Sequence, residues 1–167
     1  MPNKIFVVPD TQVRDGVPTD HISAIARYIV NLKPDTIVCI GDWWDMPSLS
    51  VFNTRLQASG LRLKADLDAG KEAMLEFMEI IGEERERLRR NKKKKWNPRF
   101  IFTVGNHDPQ VRIPRYVDAH PELEGWMEDN TSQWLEGLGW EVYEFLEIAV
   151  DSGISFSHYF QNMWSAK

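Results

Sequence analysis

Three short polar clusters hold the side chains best suited to chemistry: "PDTQ" at 9–12, "GDWWD" at 41–45 and "GNHD" at 105–108. Each follows an apolar run, "KIFVV", "DTIVCI" and "RFIFTV" respectively. In parallel α/β sheets functional groups collect beyond the carboxyl ends of the strands. Side-by-side strands would crowd Asp10, Gln12, Asp42, Asp45, Asn106, His107 and Asp108 onto one rim. Carboxylates packed so closely repel one another and raise one another's pKa values. Divalent cations relieve that repulsion, and oxygen plus imidazole donors suit Mn²⁺, Zn²⁺ or Fe rather than a thiolate site. Singly, each cluster also reads as a turn, since Asp, Asn and Gly are favoured there. Three of them at three strand ends point to a shared site.

The elements that must position them follow from the apolar pattern. Residues 4–8 read as a buried strand broken by Pro9. A helix is predicted from about Asp20, with Thr19 as N-cap, an apolar face of Ile22, Ile25, Ile29 and Leu32, and Pro34 as its stop. Residues 35–40 form the second strand, completing a βαβ unit. Residues 45–56 read as a loop with a short helix. A long helix from about Asp66 to Arg90 carries Leu67, Met74, Met78, Ile81 and Leu88 on one side. Residues 99–104 make the third strand. Helical and loop segments fill 109–139, with Pro114 and Pro121 as breaks, and "WEVYEFLEIAVDSGISFSHYF" alternates as a β-hairpin turning at "DSG". One domain over 1–167 is the expectation.

Composition narrows the class. Hydrophobic content of 43% and charged content of 27% are ordinary for a globular chain, and no apolar run approaches the roughly 18 residues that cross a bilayer. No membrane partner is expected. The start lacks a signal-peptide pattern, and a single cysteine, Cys39, points to a reducing cytoplasm. The net charge of −5 is uneven: "RERLRRNKKKKWNPR" (85–99) holds nearly half of the basic residues. Such a block contacts phosphates, or it is the solvated end of a helix whose dipole favours cations.

The ordered pattern D-x-Q, GDWWD, GNHD and a later His, from Asp10 to His158, resembles the calcineurin-like metallophosphoesterase family. That family's pattern reads D-x-H, G-D-x-x-D, G-N-H-D/E, H, then G-H-x-H. The wording around the motifs ("PDTQV", "DMPSLS", "HYF") is most similar to a branch common in bacteriophage genomes. The resemblance implies an α/β fold, a four-layer α/β/β/α sandwich of two mixed sheets with two divalent metals at the strand ends. It implies hydrolysis of phosphate mono- or diesters by a metal-activated water. On this sequence Asp42 would bridge the metals, Asp10 and Gln12 would complete the first site, and Asn106 and His158 would serve the second. His107 would act as general acid near the leaving oxygen, oriented by Asp45. Asp108 is left to cap the next helix.

Two departures from that pattern matter. Gln12 stands where the family has histidine, and a neutral amide oxygen should favour Mn²⁺ or Mg²⁺ over Zn²⁺. The sequence ends nine residues after His158 without G-H-x-H, so it is expected to be a fragment, C-terminally incomplete, with a sheet edge open to oligomerisation. Met46 stands where the family's protein phosphatases carry arginine. Arg112 is a candidate contact for substrate phosphate, against a surface role. Trp43 and Trp44 read as wall packing ahead of base-stacking, Cys39 as inert core, and His21 and His120 as exposed.

Three functions compete. The first is a phosphoesterase with two divalent ions, Mn²⁺ ahead of Zn²⁺, Fe or Mg²⁺, acting on a phosphate ester such as a nucleotide or nucleic acid. The second is a catalytically incomplete relative serving as a binding scaffold. The third is a nucleic-acid-binding module led by the lysine block, whose mark would be steep salt dependence without metal.

Overall fold

The computed structural model describes residues 3–50 and 60–160. It is a mixed α/β structure in which four parallel strands, in the order β1-β2-β3-β4, form the main sheet. These are β1 (Ile5–Val8), β2 (Thr36–Cys39), β3 (Arg99–Thr103) and β4 (Glu141–Tyr143). A second, antiparallel sheet pairs β5 (Ala149–Asp151) with β6 (Ile154–Phe156). The helices are α1 (Asp20–Leu32), α2 (Leu63–Arg90), α3 (Pro109–Ala119) and α4 (Thr131–Gly137). Among the described residues no helix is long and apolar enough to cross a membrane.

The runs of β2 and β3 become central strands because both of their faces are covered. β1, expected as a buried strand, is instead the sheet's edge among the described residues, with Val7 exposed and only Val8 buried. Alternate residues of β2 and β3 separate into two cores. Ile37, Cys39, Phe100 and Phe102 pack with Ile22, Ala26 and Ile29 of α1 and Met74, Phe77 and Ile81 of α2. On the other face, Val38 and Ile101 pack with Ala149 and Phe156 of the hairpin. Helices, parallel sheet and hairpin therefore stack as three layers. Each Ile, Val, Phe or Met side chain among these contributes roughly 1.5–3 kcal/mol on burial.

The long helix α2 is fixed to the second polar cluster rather than only to the sheet. The Trp43 indole donates to Gly70 O at 3.0 Å, and Trp44 lies so close to Gly70 that an added Cβ would sit 1.7 Å from its Nε1. Asp66, 1% exposed, accepts from the Ser48 amide at 2.9 Å and so fastens the 3-10 turn Pro47–Leu49. Both tryptophans are fully buried, as wall packing requires. The part of the 45–56 loop beyond Ser50 lies outside the described residues.

Several expectations need correction. Pro114 does not break the chain; it is exposed and α3 runs through it, despite the lost backbone hydrogen bond and the ring's crowding of the preceding turn. Pro121 does follow a helix end. Thr19 occupies the N-cap position of α1 without a side-chain cap bond, and α1 ends at Leu32 through Lys33 in the left-handed region at φ 46°. The alternating C-terminal stretch is not one hairpin. Its first part, β4, joins β3 in parallel, and only 149–156 turns back on itself, at Ser152 and Gly153.

Candidate functional site

Beyond their last residues β1 and β2 kink and then pair again. Ile40 N donates to Val8 O at 3.1 Å, but Pro9 has no N–H and the ladder is interrupted. It resumes where Thr11 N and Gln12 N both donate to Asp42 O, at 3.2 and 2.9 Å, and Val13 N to Trp43 O at 2.8 Å. Gln12 and Asp42 are both left-handed, at φ 46° and 50°. The two kinks bring the Asp10–Gln12 segment against Asp42. The third cluster closes in because Gly41 and Gly105 lack side chains. A Cβ on Gly105 would lie 2.2 Å from both the N and the Oδ1 of Asp42.

Asp42, 3% exposed, stands at the centre. Its Oδ1 accepts from the His107 amide at 2.8 Å and lies 3.5 Å from His158 Nε2. That Nε2 is also 3.0 Å from Asn106 Oδ1, while His158 Nδ1 is 2.8 Å from Ile40 O. A backbone carbonyl only accepts, so Nδ1 carries a proton. Asp42, Asn106 and His158 are thus brought together from β2, β3 and the segment after β6.

His107 forms the second half of the site. Its Nδ1 lies 3.1 Å from Asp45 O and 3.3 Å from Asp45 Oδ1, and its Nε2 lies 3.0 Å from an amino nitrogen of Arg112. A guanidinium only donates, so Nε2 accepts and Nδ1–H points to Asp45. Arg14 holds the other Asp45 oxygen at 3.2 Å. Residues 42–45 are not helical; Trp44 is bridged to Val13. Asp42 and Asp45 therefore act on His107 from its backbone and its ring, not from one face of a helical turn.

The structure places the remaining candidates as follows. Asp10 and Gln12 are exposed, and among the described residues their side chains make no hydrogen bond. Among those residues no group of three His, Cys, Asp or Glu side chains suits a metal ion; the closest set mixes Asp, His and Asn. Arg112 is not a surface arginine: it is half-buried, and its Nε is enclosed without a partner. Cys39 is fully buried, and burial pushes its thiol well above the usual range. His120 is half-buried and stacked on Tyr116 at 4.2 Å, whereas His21 is exposed, with Nε2 3.3 Å from Thr11 O.

Asp108 is the largest surprise. It holds the N-cap position of α3 but makes no side-chain cap bond. Instead its carboxylate accepts from Gly105 N at 2.8 Å, Asp42 N at 3.0 Å and Trp44 N at 3.1 Å. It is fully buried, and burial, reinforced by neighbouring Asp42, pushes its carboxyl up to about 7 against the pull of those amides. One side chain thus ties the second and third clusters together. Its motif position carries no local signal for that role, because the amides it meets lie mostly 64 and 66 residues away.

A scan against protein-family models finds no match to this chain, and a search of the curated proteins finds no significant one.

Proposed function

We propose that the chain is a metal-dependent phosphoesterase of the calcineurin-like type, hydrolysing phosphate mono- or diesters, with the carboxyl-end rim of the parallel sheet as its active site. The observation that carries this reading is His158. With Nδ1–H committed to Ile40 O, its Nε2 faces Asn106 Oδ1 at 3.0 Å and Asp42 Oδ1 at 3.5 Å. A lone pair opposed to two oxygens calls for a cation between them.

The donor chemistry fits a divalent ion. Ligands about 2.1 Å from one octahedral cation stand roughly 3 Å from one another, and ligating histidines commonly donate their other N–H to a backbone carbonyl. Asp42, Asn106 and His158 would hold one ion. Asp10 and Gln12, on the segment tied to Asp42 O, would serve a second, with Mn²⁺ favoured. When bound, such ions would supply an activated water and neutralise charge developing on the phosphate oxygens. The helices, parallel sheet and hairpin supply three layers of the four that the family's sandwich would have.

The chain's own residues supply the rest. Asp45 fixes the His107 ring through Nδ1, which leaves Nε2 as the atom that exchanges a proton with the leaving oxygen. Arg112 offers a half-buried guanidinium for phosphate oxygens. A phosphate that draws Arg112 away would uncover His107 Nε2 at the same moment.

The test is calorimetric titration of Mn²⁺, Zn²⁺ and Mg²⁺ into the protein and into His158→Ala and Asp42→Asn, alongside hydrolysis of an aryl phosphate and a bis-aryl diester with Mn²⁺ or chelator. Saturable binding lost in both variants, with turnover only in metal, is expected. Absence of affinity for all three ions would remove the metal site and leave the binding scaffold standing.

A further inference from the structure

We propose that the amino-end face of the sheet, opposite the candidate site, docks the phosphate backbone of a nucleic acid. The surface is the segment Lys92–Asn97, between the end of α2 and the start of β3. Two depressions of about 560 and 880 Å³ flank it and share Lys95, Trp96 and Asn97. Arg85 and Arg89 lie on the first; Lys93, Lys94 and Lys33 lie on the second.

Helix electrostatics account for only part of this charge. The last turn of α2 carries Arg87, Arg89 and Arg90, and each has a carboxylate partner: Arg87 is bidentate on Glu84, which Lys33 also reaches, while Arg89 and Arg90 share Glu86. The dipole's influence fades within that turn. Lys92–Lys95 lie past the helix end, are all exposed, and have no carboxylate partner among the described residues. Arg85 bonds only the neutral amide of Asn97. Five cations on one ridge therefore have no carboxylate partner among the described residues, against the single charge of Asp35. Of the acids facing it, Glu86 is held by the two arginines, and Asp35, which accepts from the backbone Lys4 N at 2.9 Å, keeps its charge beside the second depression.

The ridge is held in place. Trp96 is half-buried, its indole donates to Pro34 O at 2.7 Å, and Lys33 lies over its ring at 5.9 Å. Lys93 N donates to Leu88 O at 3.0 Å. A row of exposed lysines on an anchored backbone between two grooves fits a regularly charged polymer. It lacks the second, apolar signal that stable lipid anchoring needs, because no large apolar side chain is exposed between residues 83 and 99 to insert. Nor does it offer the exposed aromatic anchor of a protein interface, since its one aromatic is committed inward.

The inference stands whether or not the opposite rim hydrolyses phosphate esters, and its test is run in chelator. A labelled short duplex oligonucleotide is titrated with the protein over a salt series, beside anionic phospholipid vesicles. If the four lysines each neutralise one phosphate, log K falls against log salt with a slope of about −3.6, on the order of a hundredfold between 50 and 200 mM. The K92A/K93A/K94A/K95A variant should lose at least about tenfold in affinity at low salt, by the same counterion argument. The corresponding four-arginine variant should bind like the parent, and K64A, on the far end of α2, should too. No duplex binding at low salt, equal binding by the alanine variant, or tighter lysine-dependent binding to vesicles than to duplex would each overturn it.

Discussion

Arg112 places an amino nitrogen 3.0 Å from Nε2 of His107, so the cation and the imidazole occupy each other's working position. Neither has a better partner there: Arg112 Nε is buried without one, and His107 Nδ1 is turned to Asp45. A phosphate that accepts from the guanidinium would satisfy the first and release the second.

Arg112→Ala is therefore expected to weaken competitive inhibition by inorganic phosphate by about tenfold or more, the scale of one lost charge-assisted hydrogen bond at 1.5–3 kcal/mol. Arg112→Lys should recover part of it, because an ammonium supplies charge without the planar fork. Thermal melts of both variants should match the parent. An unchanged inhibition constant would return Arg112 to a packing role.

Gln12→His separates the amide's contribution from the rest of the rim. The side chain is exposed and unbonded among the described residues, so the change disturbs no packing. Imidazole is the softer donor, and affinity for Zn²⁺ should rise more than affinity for Mn²⁺ in parallel calorimetric titrations. Equal affinities in parent and variant would remove Gln12 from the ligand set.

What the sequence made legible is what periodicity and strand-end chemistry encode. The runs at 35–40 and 99–104 are central strands because their residues suit burial on both faces, the run at 4–8 is a strand but an edge one with Val7 exposed, and each ends in the polar cluster read from it. β4 was not legible. Three alternating residues, Glu141–Tyr143, read the same in a hairpin as in a parallel pair, and only tertiary contact with β3 decides between them. Asp108 was hidden for a similar reason. An Asp before a Pro-led helix is a cap by local logic, and its actual partners belong to distant loops.

Asp108→Ala would orphan three buried amides at once. Unsatisfied buried donors cost about 1–3 kcal/mol each, partly offset by no longer burying a carboxyl. A net loss of about 2–4 kcal/mol is expected in denaturant unfolding. Asp108→Asn keeps one acceptor oxygen and should lose less. An alanine variant as stable as the parent would show that water satisfies the amides equally well.

Two glycines of α2 should respond oppositely to alanine. At Gly82 an added Cβ meets nothing within 4 Å, so Gly82→Ala should gain about 0.5–1 kcal/mol from helix propensity. At Gly70 the same methyl would lie 1.7 Å from Trp44 Nε1, on an indole with no room to retreat. Overpacking of about 1–3 kcal/mol outweighs the propensity gain. Gly70→Ala should therefore destabilise and, because Trp44 adjoins the Asp42 and Asp45 loop, loosen the site as well. Stabilisation by both alanines would contradict the packing of Trp44 on α2.

Acid stability should hinge on Glu84, which is 7% exposed and joins α2 to the end of α1. Arg87 grips it at 2.5 and 2.9 Å, and Lys33, the left-handed residue that closes α1, reaches it at 2.7 Å. The Arg87 guanidinium first, with Lys33 second, holds the carboxyl down to about 2 against an ordinary 4.5. A lowered folded value means that the unfolded chain binds the proton more readily. The contribution is therefore complete above pH 4.5 and drains away as the pH falls towards 2. Glu84→Gln removes that linkage while keeping a hydrogen-bond acceptor. Its melting temperature should lie below the parent's at neutral pH, and the gap should narrow through that window. Parallel pH profiles for the two proteins would place the acid sensitivity on other carboxylates and reduce the Lys33–Glu84–Arg87 cluster to a surface ornament of the helix pair.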